Sequence, residues 1–536
     1  MYAMVAETAA RYPRHTAHIF MGRRTSYRAF LRRVDAAARG LLALGIGRGD
    51  RLTICMPNTP QALECFYALN RIGAVASMIH PLSAPEEIAF YLKISSSKAV
   101  LTLDSFYPKV ASAVDTLQQP VRLLVAAASD ALPFPVSFLR PSARLPKGGY
   151  TRWTKVLSFS SAALPEAAGS AADCAAILYS GGTTGTPKGI CLSNRNFNAL
   201  ALQTIAASGC CSIAGMKMLS ILPIFHGFGL GIGIHTALAG GAACILVPRF
   251  SVKTYAKILK KQKPHFIPGV PALFEAFLRA ESLKDADLSF LRGIFCGGDT
   301  LSPSLKKQVD DFLRAHNCNA QIREGYGATE CVTASCLTPE GCHKSGSVGI
   351  PFPDTFYKIV RTGTVEEADP LTDGEICISG PTVMTGYLDN AAETARTLRR
   401  HADGKLWLHT GDLGYMDCDG FVYFRQRIKR MIIKNGYNIY PAQLENILCA
   451  HEKIRLACVI GIPDPRQGQR VKAYLVPVAG IQPDEKLKAE ILRYCESRIA
   501  RYALPQEIEF RTALPTTPVG KVAYRTLEEE AQRLES

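Results

Sequence analysis

The stretch Ser180-Gly-Gly-Thr-Thr-Gly-Thr-Pro-Lys-Gly189 follows directly on the apolar run Ala175–Tyr179. A strand that ends in a loop of glycines and threonines is typical of a phosphate site, because glycines let backbone N–H groups approach phosphate oxygens and hydroxyls add donors. Lys188 adds a cation. The segment therefore predicts that a phosphate chain binds to Ser180, Gly181, Gly182, Thr183, Thr184, Gly185 and Lys188.

Two widespread phosphate loops do not fit this segment. The Walker A spacing, in which Gly-Lys-Ser or Gly-Lys-Thr follows four residues after a first glycine, is missing. The dinucleotide pattern Gly-x-Gly-x-x-Gly is missing from it as well. The loop therefore indicates another class of nucleotide-binding protein.

Five further blocks follow in the same chain. They are Gly325-Tyr-Gly-Ala-Thr-Glu330, Gly374-Glu-Ile-Cys-Ile-Ser-Gly380, Thr410-Gly-Asp412, Arg427 with Gly436, and Pro515-Thr-Thr-Pro-Val-Gly-Lys521. In content and order, the six blocks resemble the signature of the adenylate-forming superfamily of acyl-CoA synthetases, nonribosomal peptide synthetase adenylation domains and luciferases. The resemblance covers nearly the whole chain and is strongest to the fatty-acyl-CoA and 4-coumarate-CoA ligase type.

This resemblance implies an ATP-dependent acid–thiol ligase. Such an enzyme activates a carboxylic acid as its acyl-AMP with release of pyrophosphate, and then passes the acyl group to coenzyme A with release of AMP. ATP, Mg²⁺ and coenzyme A are the implied cofactors, and a small carboxylic acid is the implied partner.

The resemblance also assigns the adenine and metal side of the site. Tyr326 would offer an aromatic face to adenine, Thr329 a hydroxyl to the α-phosphate, and Glu330 a carboxylate to magnesium, which are the group types that these ligands need. Gly327 belongs to the same block. Gly297 and Gly298, after the apolar run Ile294–Cys296, resemble the backbone wall beside adenine.

Two charged residues are assigned to the ribose side in the same way. Asp412 would accept both ribose hydroxyls, because an ionised carboxylate offers two acceptor oxygens, and Arg427 would stand near the ribose or a phosphate. The chain departs from the family pattern twice, with Gly181 where a serine is more frequent and Gln426 where a glycine more often precedes the arginine.

The C-terminal blocks imply a moving domain. Lys521 is the implied catalytic cation, because a preorganised ammonium group stabilises the negative charge that develops on phosphorus and on the attacking carboxylate. The hinge position falls on Lys429, and rotation about it would withdraw Lys521 and bring the loop at Gly436 to the coenzyme A side.

His226, in Pro223-Ile-Phe-His-Gly-Phe-Gly229, matches the family position that borders the acyl pocket and is counted among the catalytic residues. Amino-acid-activating relatives commonly carry an Asp in this stretch, which is absent here, so a neutral acid is expected. The large apolar residues that follow alternate with Gly227, Gly229, Gly231 and Gly233. If that bare face lines the acyl channel, it favours a medium- or long-chain aliphatic acid, whereas the other interpretation is close packing of a helix on a sheet.

The first part of the chain alternates helical periodicity with short apolar runs. The predicted elements are the helices Phe30–Leu44 and Thr59–Ile72 and the strands Arg51–Cys55, Ala74–Met78, Ala99–Leu103 and Ala243–Val247. Because this alternation is typical of parallel sheets covered by helices, the N-terminal part is predicted to be α/β.

After about residue 374 the pattern changes to short strands with turns between them, which predicts a β subdomain with strands at Glu375–Ser379, Leu406–His409 and Phe421–Phe424. The charged run Arg425–Lys429 predicts a solvated linker. A small α+β module follows, with a helix at Pro441–Cys449 and a strand at Val471–Val476. We therefore expect an adenylate-forming domain over residues 1–426 and a mobile C-terminal lid over residues 427–536.

The composition of the chain limits which binding partners and which cellular compartment are expected. The net charge of +16 suits anionic partners, but the basic residues are dispersed, so nucleic acid is not expected and peripheral contact with an acidic membrane remains open. The seventeen cysteines are irregularly spaced and Met1–Arg14 lacks the pattern of a signal peptide, so reduced thiols and a cytoplasmic location are expected. Cys336, Cys342 and His343 lack a fourth ligand, so no structural metal is predicted.

Three other functions are compatible with the fold that the resemblance implies. An aryl-acid CoA ligase of the 4-coumarate type has nearly the same signature blocks. A standalone adenylation enzyme that loads a carrier protein differs only in its thiol acceptor. A scaffold that has lost activity is disfavoured, because a degenerate relative would have lost some of the residues Lys188, Thr329, Glu330, Asp412, Arg427 and Lys521.

Overall fold

The computed structural model describes residues 1–132, 143, 145–146, 148–159, 162–165, 169–180, 187–435, 437–496, 498–516 and 522–535. The first part of the chain contains α1 (Tyr2–Arg11), β1 (Thr16–Phe20), β2 (Arg23–Ser26), α2 (Tyr27–Ala43), β3 (Arg51–Cys55), α3 (Pro60–Arg71), β4 (Val75–Met78), α4 (Pro85–Ile94), β5 (Ala99–Leu103), α5 (Tyr107–Asp115), β6 (Arg122–Ala126), β7 (Thr151–Arg152), α6 (Trp153–Val156), β8 (Cys174–Ser180), β9 (Lys188–Ser193), α7 (Asn194–Ala207) and β10 (Lys217–Ser220).

A buried π-helix, Phe228–Thr236, comes next. It is followed by α8 (Ala237–Ala239), β11 (Ala243–Leu246), α9 (Val252–Gln262), β12 (Phe266–Gly269), α10 (Pro271–Leu278), β13 (Gly293–Cys296), α11 (Pro303–Ala315), β14 (Ile322–Tyr326), β15 (Cys336–Leu337) and β16 (Ile350–Pro351).

The last third of the chain is richer in strands. It contains β17 (Phe356–Val360), β18 (Gly374–Ser379), β19 (Gly386–Tyr387), α12 (Ala391–Thr397), β20 (Leu398–Arg400), β21 (Leu406–Met416), β22 (Val422–Arg427), β23 (Ile432–Lys434), β24 (Tyr437–Ile439), α13 (Pro441–Cys449), β25 (Ile454–Asp464), β26 (Gly468–Pro477), α14 (Glu485–Glu496), β27 (Glu507–Phe510) and α15 (Tyr524–Glu535).

Two large sheets form the N-terminal part. One has the strand order β16-β15-β14-β13-β12-β10-β11-β1-β2 and the other has the order β19-β9-β8-β4-β3-β5-β6-β7. Their central strands are parallel, as in the pairs β12/β13, β13/β14, β3/β4 and β4/β8. The predicted α/β class of the N-terminal part is confirmed.

Two of the helices that cover the sheets show how the local sequence determines where a helix begins and which of its residues are buried. In α2 the side chain of Ser26 accepts a hydrogen bond from the N–H of Ala29, which caps the helix start. Helix α3 buries eleven of its residues, Pro60 through Asn70, because it is apolar on most of its circumference and lies inside the fold. One continuous core joins these helices to the strands of both sheets.

Two smaller sheets complete the molecule. The β subdomain has the order β17-β18-β21-β20, with β22 paired to β21, and the C-terminal module has the order β24-β23-β26-β25, with β27 paired to β26. The C-terminal module has a core of its own, which includes Leu444, Leu448 and Ile491. The predicted β subdomain and small α+β module are both confirmed.

The charged run between these two sheets differs from the prediction. Arg425, Gln426 and Arg427 belong to β22, where Arg427 pairs with Asp412 of β21, and Gln426 is buried. A short 3-10 helix, Ile428–Arg430, then leads to β23. The solvated linker predicted at Arg425–Lys429 was therefore placed too early, because backbone pairing with β21 holds its first three residues in the sheet.

Within the part of the chain that the structure describes, we find no helix that is both long and apolar enough to span a membrane.

Candidate active site

The predicted phosphate loop lies between two paired strand ends. Ser180 ends β8, Lys188 begins β9, and the two residues are partners in this antiparallel pair. The hairpin thus fixes both ends of the loop, whereas its residues Gly181, Gly182, Thr183, Thr184 and Gly185 lie outside the described residues. The ammonium group of Lys188 forms an ion pair with Glu393 of α12, and this contact is the main cause that lowers the pKa of Glu393.

Tyr387 connects Lys188 with the predicted metal ligand Glu330. The Nζ atom of Lys188 lies 5.1 Å from the centre of the Tyr387 ring, and the Tyr387 hydroxyl donates to Glu330 Oε1 at 2.9 Å. Burial and the negative charge of Glu330 raise the pKa of Tyr387, which keeps the phenol protonated as a donor. Sequence reasoning missed Tyr387 because it belongs to β19, which joins the sheet through β9 and stands in none of the signature blocks.

The predicted adenine side lies at the carboxyl ends of two neighbouring parallel strands. Gly297 and Gly298 follow β13, and Tyr326 ends β14 with Gly327 after it. The carboxyl ends of parallel strands are the usual place for ligands in an open α/β sheet. Gly298 has a φ of +81°, which a side chain rarely adopts, and a Cβ on Gly327 would lie 2.0 Å from the carbonyl oxygen of Thr333. The backbone therefore requires both glycines even without a ligand.

Asp412 lies in the β subdomain and reaches both Tyr326 and Arg427. Its residue is 1% exposed. The Tyr326 hydroxyl donates to Asp412 Oδ2 at 2.5 Å, and Arg427 Nε lies 2.9 Å from Asp412 Oδ1. The structure thus brings together three residues that the sequence had assigned to one nucleotide site.

The charge of Asp412 also sets the ionisation of its neighbours. It is the main cause that raises the pKa of Arg427, and it acts together with burial to raise the pKa of Tyr326 well above its ordinary value. Tyr326 is therefore a neutral donor to a carboxylate. Since each carboxylate oxygen has two acceptor positions, Asp412 retains capacity for further hydrogen bonds from a ligand.

A second aromatic ring, missed by the sequence reasoning, covers Tyr326. The ring of Phe424 in β22 stacks on that of Tyr326 with 5.7 Å between centroids and 29° between planes. One face of Tyr326 is therefore taken up by protein, so a base that stacks on this ring must use the other face. The sequence would have identified Phe424 as a neighbour of Tyr326 only if the register of β22 with β21 had been known.

The donor set at Glu330 and Thr329 fits a magnesium ion. Both residues belong to the 3-10 helix Thr329–Cys331 and are half-buried. A carboxylate and a hydroxyl are the hard oxygen ligands that Mg²⁺ prefers, together with water and substrate phosphates. With Glu330 Oε1 held by Tyr387, the carboxylate is oriented before any ion binds.

His226 lies two residues before the start of the π-helix. The N–H of Phe228 donates to His226 Nδ1 at 3.3 Å, so the proton of a neutral ring is on Nε2. This contact fixes the ring beside Phe228, whose Cε1 atom is 3.6 Å from where a Cβ on Gly297 would lie. Phe228 thus lies between His226 and the predicted adenine side at Gly297.

The glycines after His226 do not form an open face. A Cβ on Gly227 would lie 1.6 Å from the carbonyl oxygen of Val332, one on Gly229 would lie 2.1 Å from that of Pro223, and one on Gly231 would lie 2.7 Å from Leu200 Cδ2. Only ordinary contacts, at 3.7 Å and 4.0 Å, surround that position on Gly233. The expectation that their missing volume belongs to an acyl channel is wrong for the first three, because backbone and side chains of the protein already fill it.

The predicted hinge residue Lys429 is exposed and lies in the middle of the 3-10 helix Ile428–Arg430. Arg427, on one side of it, is paired with Asp412 of the β subdomain. Arg430, on the other side, pairs with Glu445 of α13 at 2.6 Å and lies 4.6 Å from the ring centre of Tyr524 in α15. Arg427 thus fastens the chain to the β subdomain and Arg430 fastens it to helices of the C-terminal module, with Lys429 between them. Gly436 and Lys521 lie outside the described residues.

The chain matches known proteins along its whole length. A family model described as AMP-binding enzyme matches residues 5–388, and one described as AMP-binding enzyme C-terminal domain matches residues 443–521. A long-chain-fatty-acid–CoA ligase of Bacillus subtilis (strain 168) is 34% identical over 99% of this chain and 94% of its own. A 4-coumarate–CoA ligase 2 of Oryza sativa subsp. japonica is 31% identical over 92% of this chain and 85% of its own.

Solved structures share the fold. ATP-bound MatB from Rhodopseudomonas palustris superposes with a TM-score of 0.86 at 24% identity, with 100% of both chains covered. At this identity the likeness establishes the architecture, including the two-part arrangement of a large N-terminal and a small C-terminal region.

Proposed function

Because the chain belongs to the AMP-binding enzyme family and is an AMP-forming acyl-CoA synthetase, we propose that its acid substrate is a medium- or long-chain fatty acid. The observation that carries the proposal is the similarity over nearly the full length to a long-chain-fatty-acid–CoA ligase. The packed glycines after His226 give no support to it, so the proposal rests on the relatives and on the absence of an amine-binding Asp near His226.

For the first half-reaction we infer that ATP binds across the carboxyl ends of β8, β13 and β14. Ser180, Lys188 and the loop between them would hold the phosphates, while Tyr326, Gly297, Gly298 and Gly327 would enclose adenine. Asp412 would accept the ribose hydroxyls, with Arg427 supplying the balancing charge at 2.9 Å. The buried position of Asp412 supports this role, since a charge-assisted hydrogen bond is strongest away from water.

The phosphate side carries the charge that the reaction must stabilise. Glu330 and Thr329 would hold the magnesium ion, which when bound neutralises phosphate charge. Lys188 is already paired with Glu393, so we infer that phosphate oxygens take over this ammonium group when ATP binds. Lys521 would then stabilise the charge on the α-phosphorus and on the attacking carboxylate as acyl-AMP and pyrophosphate form.

For the second half-reaction we infer that the C-terminal region, residues 427–536, turns about Lys429. The exposed position of Lys429 between the two anchored arginines supports a hinge there. The turn would remove Lys521 and bring the loop at Gly436 to the coenzyme A side. The thiol then attacks the acyl carbonyl, and AMP leaves.

We infer a cytoplasmic location and a peripheral membrane contact for this enzyme. All seventeen cysteines are free, as is typical of a reducing compartment. The exposed apolar residues Phe250 and Val252 lie at the start of α9 beside exposed lysines, and this combination suits an acidic lipid surface. The basic residues of this surface are Arg249, Lys253, Lys257, Lys260, Lys261 and Lys263.

A panel of acids tests the substrate proposal. Rates of AMP release with coenzyme A would be measured for acetate, hexanoate, decanoate, palmitate, benzoate and 4-coumarate. We expect kcat/KM to rise from acetate towards the longer chains, since each buried CH₂ contributes about 0.8 kcal/mol. A maximum at 4-coumarate or benzoate would favour the aryl-acid alternative that the rice relative represents. A requirement for a carrier protein in place of coenzyme A would contradict the proposal.

A further inference from the structure

Three side chains of the types that can bind transition metals lie together in the β subdomain, outside the predicted nucleotide site. Cys377 in β18 is the register partner of His409 in β21, and His401 directly follows β20. All three are buried, and one ligand atom of each lies within 4.8 Å of the ligand atoms of the other two. None of them has a role in the mechanism described above.

The distances within the group fit a tetrahedral metal centre. His401 Nε2 and His409 Nε2 face each other at 3.0 Å. Around a zinc ion with bonds of about 2.0–2.1 Å to nitrogen and about 2.3 Å to sulfur, two nitrogens are separated by roughly 3.3 Å and a nitrogen and a sulfur by roughly 3.6 Å. The separation of the two histidine nitrogens is therefore close to that around one zinc ion, and Cys377 Sγ lies within 4.8 Å of a ring nitrogen of each histidine.

A second layer of contacts orients His409 for this role. Its Nδ1 lies 2.9 Å from Glu375 Oε2, and the other oxygen of Glu375 accepts the N–H of Gly411 at 3.0 Å. With the carboxylate on Nδ1, the proton is fixed there and the lone pair of Nε2 points towards His401. A carboxylate behind a ligating histidine is the usual support of a zinc ligand.

The ring of His401 is held in place as well, yet its hydrogen bonding is incomplete. Trp407 stacks on it with 5.5 Å between centroids and 24° between planes. The Nδ1 atom of His401 is buried without a hydrogen-bond partner among the residues that the structure describes. A purely structural histidine that is only 6% exposed usually has hydrogen-bond partners on both ring nitrogens, whereas His401 has one on Nε2 alone.

The chemistry of the group favours zinc over magnesium. One sulfur and two imidazole nitrogens are ligands for zinc and not for magnesium, which prefers oxygen. A thiolate on Cys377 together with the carboxylate of Glu375 would balance the two positive charges of the ion, so that the buried centre is neutral overall.

We propose that Cys377, His401 and His409 bind one zinc ion, with Glu375 as the carboxylate that positions His409. The ion fastens the end of β20 and the strand β18 to β21, the strand that carries Asp412 three residues after His409. The fourth position is taken by water or by an added ligand. The site thus holds the ribose-binding strand in place and is separate from the magnesium position at Glu330.

The test is zinc binding by the full chain, produced without a histidine tag. Wild type and the variants Cys377→Ser, His401→Gln and Glu375→Gln are compared with Cys495→Ser, which removes a buried thiol of the C-terminal module. After dialysis against a weak chelator, wild type and the Cys495 variant retain one equivalent of zinc. Loss of a ligand weakens binding by more than ~100-fold, and loss of the supporting carboxylate weakens it by about 10–100-fold.

Cobalt substitution makes the result independent of whether the variants fold. Wild type with Co²⁺ shows the intense visible bands of a tetrahedral site and an ultraviolet thiolate-to-cobalt band. Absence of the thiolate band, or zinc retention that is equal in wild type and in both ligand variants, overturns the proposal. In that case the two histidines form only a hydrogen bond with each other.

Discussion

At the scale of single residues, Asp412 is the group on which the nucleotide assignment depends most. It is a buried carboxylate whose oxygens receive the Tyr326 hydroxyl and the Arg427 guanidinium group. An isolated buried carboxylate is strongly destabilising, and these two partners offset that cost. Through these contacts Tyr326, from the predicted adenine side, and Arg427, from beside the predicted hinge, both bind the carboxylate of Asp412.

We predict that Asp412→Ala raises the KM for ATP by about tenfold to a hundredfold, because a hydrogen bond to a charged group contributes ~1.5–3 kcal/mol. The variant should also lose any preference for ATP over dATP. Steady-state kinetics with both nucleotides measure this. The matched control is Asp417→Ala, which removes a carboxylate paired with Lys344 in the turn after β21. An unchanged KM with both nucleotides would rule out the ribose role.

At the scale of elements, the π-helix Phe228–Thr236 shows how glycines determine packing. We predict that Gly229→Ala destabilises the enzyme by about 1–3 kcal/mol, because its Cβ would lie 2.1 Å from the carbonyl oxygen of Pro223 and the backbone must shift. Gly233→Ala is the matched control, since only ordinary contacts surround that position. It should be neutral or stabilising by up to ~1 kcal/mol. Thermal and urea unfolding compare the two, and equal stabilities would contradict the packing account.

The proposed hinge at Lys429 gives a second prediction at the scale of elements. Lys429→Pro should leave acyl-AMP formation close to the wild-type rate and slow thioester formation, because a fixed φ restricts the backbone change that rotation needs. Lys429→Ala, which removes the charge and leaves the backbone free, separates the two effects. The half-reactions are followed by pyrophosphate release and by acyl-CoA formation from supplied acyl-AMP. Wild-type rates for the proline variant in both would place the hinge elsewhere.

Much of the fold follows from local patterns in the sequence. The strands Arg51–Cys55 and Ala99–Leu103 and the helix Pro441–Cys449 have the predicted bounds, because each is a short apolar or periodic run between clear breakers. The predicted strand at Leu406–His409 is longer in the structure, since pairing with both β18 and β22 carries β21 to Met416. Pairing of this kind cannot be read from one segment alone.

The parts of the site that the sequence did not reveal all depend on long-range register. Tyr387 meets Glu330 across 57 positions, and Cys377 meets His409 across a strand pair. The signature blocks identified residues within each block and gave no distances between blocks. The structure adds those distances for Tyr326, Asp412 and Arg427, while the roles of the loop glycines, Gly436 and Lys521 remain predictions from the sequence.

At the scale of the whole molecule, we propose that the enzyme passes through two successive active arrangements. The N-terminal part holds the nucleotide side, and the C-terminal module carries both Lys521 and the loop at Gly436. We propose that these two elements exchange places between the two half-reactions, so that each acts on the same acyl-AMP in turn. The ion pairs of Arg427 and Arg430 on either side of Lys429 support the proposal of a turn at that point.

The decisive experiment for the proposed role of Lys521 is a single-turnover comparison of wild type and Lys521→Ala in each half-reaction. Acyl-AMP formation is measured from ATP and palmitate without coenzyme A, and acyl-CoA formation from supplied palmitoyl-AMP with coenzyme A. We predict that the variant loses at least ~100-fold in the first rate, as expected for removal of a charge that acts in the transition state, and keeps the second rate within a few-fold. An equal loss in both rates, with the melting temperature unchanged, would contradict a lysine that serves adenylation alone.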